Sequence, residues 1–472
     1  MREQGQRLYD RLKQYSESDY YGFHMPGHKR NKAFMGIELP YELDITEIDG
    51  FDDLHHASGI LKEAQERTAE VFHADEAHFL VNGSTAGILA AVMGCTKRGD
   101  KILIARHCHK SVHHAIYMNG LRPVYVYPEF DGSMHLNGEI LAEDVRTALE
   151  AEPDIRAVVI VSPNYDGVVS DVRAIAEAAH EKRIPLIVDE AHGAHFGFHP
   201  YFPKRANDLG ADVVIQSFHK TLPSLTQTAV LYVNGTIAPA KRIQRYLDML
   251  QSSSPSYVFL ASLDACVDMA ADRGEEVFEA YAGRLRILRE RLSCLEHLKL
   301  LETPHYDPSK VVISTADAEI TSLELYEILL KEYRLQMEMT GGTYLLAMTT
   351  VADTQEGFDR LAEALKTIDQ GLKKRQEPYA VSGELPRLRQ VFTPDEMEEE
   401  MERRQTEDLP FGQCEGRICT EYAYLYPPGS PVLVPGEEIS KEAVRLLEFY
   451  KEQGFRIEGL HQEGHCRVFR HG

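Results

Sequence analysis

The chain has 472 residues, 43% of them hydrophobic, and a formal net charge of −23 at pH 7. At roughly 100–200 residues per domain this length predicts several domains around a sizeable core. The acidic balance argues against a nucleic-acid partner. No apolar run reaches the ~18 residues of a membrane span. The polar start MREQGQRLYDRLKQY has no apolar h-region, so a cytoplasmic protein is expected. Seven scattered cysteines read as reduced thiols. Cys414 and Cys419 have no second pair to complete a zinc set.

In chain order, residues 1–20 read as an amphipathic helical arm, with Leu8, Leu12 and Tyr15 on one face. A loop carrying Pro26 and Gly27 follows. From about residue 78, short apolar runs alternate with helical stretches: FLVN, KILIA, PVYVYP, AVVIVSP, IPLIVDEAHG, DVVIQSFHK and AVLYV. Such runs predict a mostly parallel α/β sheet, with functional residues at the carboxyl ends of its strands. Beyond residue 258 long helices are expected to about 294, then a smaller α+β domain over 310–370. The charged run PDEMEEEMERRQTED at 394–408 predicts a solvated helix, and a last small unit ends near Gly472. The division expected is a helical arm at 1–20, a large domain at 21–258, linking helices with a small α+β domain at 259–390, and a C-terminal domain at 391–472.

Chemistry concentrates at the strand ends. Lys220, in QSFHKTL, follows the apolar run DVVI. A partly buried lysine becomes neutral and can condense with an aldehyde; a solvated charge is the plainer alternative. Asp189 ends PLIVD one strand earlier, where a carboxylate can hold a pyridine nitrogen protonated or merely cap a helix. Gly83, Ser84 and Thr85 stand between a strand and an apolar helix, a place suited to a phosphate dianion or to ordinary capping. His109 could stack on a cofactor ring. Its neighbours His107, His113 and His114 raise a metal cluster as a rival, but they lack a carboxylate or cysteine partner at ligand-like spacing beyond Cys108. No metal is expected. His192, in DEAHG, contacts a cofactor or makes a structural hydrogen bond.

With these residues in hand, the chain resembles the ornithine/lysine/arginine decarboxylases of fold type I, in their short bacterial form without a receiver-like N-terminal domain. The resemblance covers nearly the whole chain. It rests on FHMPGH at 23–28, DDLHHASGILKEAQ at 52–65, VNGSTAG at 81–87, CHKS at 108–111, PNYDG at 163–167, VDEAHGAHF at 188–196, SFHK at 217–220, SSSPSY at 252–257, and GR with YPPGSPVLVPGE at 416–417 and 426–437. It implies a seven-stranded pyridoxal 5'-phosphate-binding large domain with Lys220 as the Schiff-base lysine. Asp189 would pair with the pyridine nitrogen, and His109 would stack on the ring. Ser84, Thr85, Ser217 and His219 would hold the phosphate or ring substituents. Ser252 or Ser253 would reach the phosphate of a partner subunit in a homodimer. Departures are the missing glycine after FHMPGH and Phe218 in SFHK, which alternation in a strand would turn into the core.

The activity implied is decarboxylation of a basic amino acid, arginine before lysine or ornithine. A carboxylate desolvated by the substrate would read its distal cation, since an unpaired buried charge is costly with any neutral competitor. Glu421 and Glu338 are the candidates, each with a surface carboxylate as its plainer reading. Two other functions compete. An aminotransferase would want an arginine on the α-carboxylate, with Arg334 and Arg417 to be placed. A cofactor-binding regulator without turnover would carry a basic DNA-binding module, and none is visible.

Overall fold

A computed structural model describes residues 7–21, 23–377, 383–425 and 430–470. The first six residues of the expected arm, and the YPPG of the C-terminal motif, lie outside the described residues.

Each of the seven apolar runs forms a strand: β1 (Glu76–Leu80), β2 (Lys101–Ala105), β3 (Arg122–Val126), β4 (Ile155–Val161), β5 (Leu186–Asp189), β6 (Val213–Gln216) and β7 (Ala229–Val233). They make one sheet in the order β1-β7-β6-β5-β4-β2-β3. The pairs β2–β3, β2–β4, β4–β5 and β5–β6 are parallel, while β7 runs antiparallel to both its neighbours. The runs are continuous rather than alternating because helices cover both faces; every residue of β5, β6 and β7 is buried. The helix Gly83–Cys95 lies between the sheet and the helix Ala240–Leu250. Its approach is close. A Cβ on Gly94 would stand 2.6 Å from Ile243 Cγ1 and 2.9 Å from Ile243 Cα, so only glycine fits.

The 36-residue helix Tyr257–Leu292 leads to a second, antiparallel sheet. Its strands are β8 (Lys299–Leu300), β9 (Lys310–Ser314), β10 (Met339–Gly341) and β11 (Tyr344–Met348), in the order β8-β9-β11-β10. A third unit has its own core, including Phe411, Leu433, Leu446, Leu447 and Val468. It is joined to the large sheet by Arg106, which follows β2. Arg106 donates to Glu437 at 2.9 Å and to the Val432 carbonyl at 3.0 Å, with both charged side chains out of solvent.

Two local expectations change. The charged run is helical only over Glu396–Arg403. Its TED segment enters the strand Thr406–Pro410, which pairs with His465–Phe469. Cross-strand charge decides this, because Arg467 grips Asp408 at 3.0 Å. Phe218 is fully buried beside Phe72, with ring centroids 5.1 Å apart, but from a helical turn, Phe218–Thr221, and not from a strand. All seven cysteines are free thiols. Among the described residues no helix is long and apolar enough to cross a membrane.

Candidate active site

The carboxyl ends of β4, β5 and β6 open into a cavity of about 780 Å³, roofed by the second sheet and the C-terminal unit. Lys220 enters it from the turn after β6. The turn is held by the Lys220 amide donating to the Ser217 carbonyl at 3.2 Å. Its Nζ lies 3.0 Å from His192 Nε2. Burial pushes the Lys220 amine down from the usual lysine range, against the pull of Asp189 and Glu338. Asp189, the last residue of β5, is 3% exposed and accepts the Ala191 amide at 3.1 Å. Burial raises its carboxyl, and Lys220 opposes the rise.

The opposite wall suits a phosphate. Gly83 has φ +73° and starts the helix Gly83–Cys95, so a left-handed backbone aims that helix terminus into the cavity. The Ser84 and Ser217 hydroxyls meet at 2.6 Å, with Thr85 beside them on the wall. His219 also lines the wall and keeps its Nε2 available, because Nδ1–H donates to the Thr228 carbonyl at 2.7 Å. Hydroxyls, a helix N-terminus, a buried carboxylate and a lysine amine therefore surround one cavity, and they fit pyridoxal phosphate end to end.

His109 caps the helix Lys110–Asn119. Its Nδ1 accepts the Ser111 amide at 3.2 Å, which places the ring proton on Nε2. Burial lowers it to about 4, and Lys220 and Lys110 act in the same direction, so a neutral imidazole lines the cavity. Of the other histidines of that run, His107 also lines the cavity, while His113 and His114 do not. His113 is buried beside Tyr125, and His114 packs edge-on to Tyr422. Among the described residues no group of three or more His, Cys, Asp or Glu is placed to hold a metal.

The two acidic candidates separate. Glu338 lines the cavity and accepts the Tyr165 hydroxyl at 2.5 Å. Glu421 lies off the cavity. Its carboxylate is taken by the amides of His461 and Arg467, each at 2.8 Å, inside the C-terminal unit, so this chain does not present it to a substrate in its own cavity. Ser252 and Ser253 are exposed and do not line their own chain's cavity. The Ser252 amide donates to Asn82 Oδ1 at 3.1 Å, directly before the glycine turn. Arg417 pairs with Glu407 at 2.7 Å and Arg334 is exposed; among the described residues the cavity wall has no arginine.

Sequence reasoning missed three groups. Tyr165 sits in PNYDG with its ring 4.5 Å from that of His192. Asp166 accepts the Tyr344 hydroxyl at 2.5 Å and is pushed up to about 6 by burial. Lys310 is fully buried, 2.8 Å from His192 Nδ1. The motif PNYDG contained a signal for the first two. A lysine opening a strand gave none.

The sheet order, the strand-end lysine and aspartate, and the phosphate cradle define a fold-type-I pyridoxal 5'-phosphate enzyme. Comparison with known proteins makes the class specific. Residues 6–317 match the Orn/Lys/Arg decarboxylase major domain and residues 379–469 the Orn/Lys/Arg decarboxylase C-terminal domain. The chain belongs to the Orn/Lys/Arg decarboxylase family, whose members decarboxylate basic amino acids. It is 33% identical to an arginine decarboxylase of Bacillus subtilis, covering 96% of this chain and 95% of that one. It is 24% identical to a lysine decarboxylase of Pseudomonas aeruginosa, covering 96% of this chain and 78% of that one. Among solved structures, the lysine decarboxylase of Francisella novicida shares the fold with a TM-score of 0.83 at 19% identity, covering 98% of this chain and 81% of that one.

Proposed function

We propose that this protein converts arginine to agmatine in the cytoplasm, as a homodimer. The observation that carries the reading is the single cavity shared by Lys220, Asp189, the Gly83–Ser84–Thr85 turn and Glu338. Bound pyridoxal phosphate supplies an electron sink for the pair left when carbon dioxide departs. The chain supplies the rest. Lys220 anchors the cofactor, and Asp189 keeps a proton on the pyridine nitrogen. The neutral His109 ring stacks on the cofactor. Ser84, Thr85, Ser217 and His219 bind the phosphate and ring substituents. Ser252 or Ser253 serves the phosphate in the partner subunit. The four-part division at residues 20, 258 and 390 is retained, with the boundary between the second and third parts at the start of the long helix.

Glu338 reads the distal cation, with Tyr165 fixing its carboxylate. A planar guanidinium can use both carboxylate oxygens where an ammonium is a point charge, which favours arginine, as does the similarity to an arginine decarboxylase. The test is amine release from arginine, lysine and ornithine, read by mass spectrometry for the wild type and Glu338→Gln. Agmatine should dominate, and the variant should lose at least about ten-fold in kcat/KM, about 1.4 kcal/mol. Equal kcat/KM for all three substrates in both proteins would remove Glu338 from the role and arginine from its preferred place.

A further inference from the structure

The loop after β4 and the β10–β11 hairpin meet twice on the cavity wall. The Tyr165 hydroxyl donates to Glu338 at 2.5 Å, and the Tyr344 hydroxyl donates to Asp166 at 2.5 Å. Tyr165 and Asp166 are neighbours in PNYDG. Glu338 directly precedes β10, and Tyr344 opens β11. The loop therefore gives one donor and takes one, at two separate points of the hairpin. A single hydrogen bond leaves a hairpin free to pivot about it, whereas two points fix its orientation.

The two points are unequal. Glu338 is exposed, so water competes for its bond and the net stabilisation is small. Asp166 is 7% exposed, and breaking its bond strands a buried carboxylate without that donor. Burial raises Asp166 to about 6, which leaves it an anion at pH 7 and its bond charge-assisted. The loop side is rigid. Asn164 accepts the Val168 amide at 2.9 Å and donates to the Asn137 carbonyl at 2.8 Å, and the Gly167 carbonyl accepts the Asp307 amide at 2.8 Å. On the hairpin, Gly341 pairs directly with Tyr344. A Cβ on Gly341 would stand 2.5 Å from Tyr344 Cζ and 2.7 Å from its hydroxyl oxygen, so the bare glycine is what lets the ring lie across the neighbouring strand. Glu338 is tied to the same hairpin, its amide donating to the Leu346 carbonyl at 3.0 Å. A shift of the hairpin is thus passed to Glu338. The Tyr165 ring lies 4.5 Å from that of His192, which is 3.0 Å from Lys220 Nζ, so that end of the hairpin faces the lysine.

We propose that Asp166 and Tyr344 are positioning residues for substrate recognition: their buried bond pins the β10–β11 hairpin to the loop after β4 and so holds Glu338 where the distal cation of the substrate arrives. The inference rests on the reading of Glu338 as the group that meets that cation. It leaves Lys220, Asp189 and the phosphate cradle untouched, since these stand at the strand ends of the large sheet.

The test is steady-state kinetics of the holoenzyme with its preferred basic amino acid, joined to amide hydrogen exchange of the hairpin. Tyr344→Phe removes the donor, and Gly341→Ala displaces the ring while keeping the hydroxyl. Both should raise KM about ten-fold with kcat within about two-fold of wild type. Both should also speed exchange of the Glu338 amide. Asp166→Asn keeps an acceptor for the hydroxyl and should recover most of what Asp166→Ala loses. In a Glu338→Gln background, Tyr344→Phe should add no further rise in KM, because residues acting as one unit are not additive. An equal further rise there would mean that Tyr344 meets the substrate by itself, and that overturns the inference. So does a fall in kcat at unchanged KM, the mark of a lost active fraction, or wild-type kinetics in both variants. Should neither variant fold, exchange in the wild type decides: the Glu338 amide should exchange as slowly as the amides of β9, and fast exchange contradicts the pinning. Glu338→Gln with wild-type kcat/KM would instead overturn the underlying reading of the site, and the inference with it.

Discussion

Removing one half of the Arg106–Glu437 pair is the most informative perturbation of how the roof is held over the cavity. Arg106 leaves β2, crosses into the C-terminal unit, and meets Glu437 at 2.9 Å with side-chain exposures of 1% and 0%. It also donates to Val432, and Val432 lines the cavity. Glu437 accepts the Val434 amide at 2.8 Å, so its charge orders the same segment. Glu437→Gln leaves a guanidinium buried without its counter-charge, and a loss of about 3–5 kcal/mol is expected. That is a large part of the roughly 5–15 kcal/mol by which a domain is stable. The double variant Arg106→Met/Glu437→Gln removes both charges and fills similar volume, so it should recover most of that loss. Urea unfolding of the two variants, the remaining single variant and the wild type closes the cycle. KM should rise in Glu437→Gln, because Val432 and Ser430 lose a fixed backbone; Ser430 itself reaches the His107 carbonyl at 2.8 Å. The reasoning is refuted if Glu437→Gln lies within about 1 kcal/mol of wild type, or if the double variant loses the sum of the singles.

Three further outcomes are expected. Lys220→Ala should lose the visible band of the bound cofactor together with turnover, and a borohydride-reducible adduct surviving in that variant would move the anchor to another lysine. Asp189→Asn should keep the fold and the cofactor while kcat falls on the order of 10²-fold or more, since a neutral amide cannot hold the pyridinium; activity within a few-fold of wild type would end that assignment. His107 is lowered by burial to about 4 from the usual 6.5, so the folded state refuses a proton that the unfolded state accepts between those values. Stability relative to His107→Gln should therefore drop as pH falls through that window, by at most about 1.4 kcal/mol per unit, and a difference independent of pH would contradict it.

The parts legible in the sequence were those whose signal is local. Seven β-branched runs became seven strands because a parallel sheet covered on both faces leaves no polar alternation to confuse the reading. Lys220, Asp189 and Gly83 were visible because strand ends are where such a sheet exposes its chemistry. Lys310 was not. A lysine opening a strand ordinarily sits in water, and its burial depends on packing its Cγ against Gly167, where a Cβ would stand 2.8 Å away. Glu338 and Glu421 carried the same signal and ended in different places, because Glu338 stands on the cavity wall beside the second sheet, whereas the Glu421 carboxylate is taken by backbone amides inside the C-terminal unit. The TED segment misled because its charges are answered by Arg467 and Arg417, many residues distant in the chain.

The distribution of charge around the cavity also bears on reaction type. A basic amino acid brings one carboxylate and one distal cation, and the wall treats them unequally. Asp166, Asp189 and Glu338 line it, whereas no described residue of the wall is an arginine. The distal cation has an anion to meet, and the α-carboxylate has no guanidinium fork from this chain. An enzyme that must retain that carboxylate gains from such a fork, because bidentate pairing stabilises the charged group in place. An enzyme that expels it gains from leaving it poorly paired, since stabilisation of the ground state that is lost on the way to the transition state only slows the step. Lys310, beside the site, is already engaged by His192 at 2.8 Å and faced by Asp307 and Asp166. Its amine is thus engaged away from the carboxylate and offers it no fork. Arrangement of charge, as well as family membership, favours carbon dioxide release over transamination.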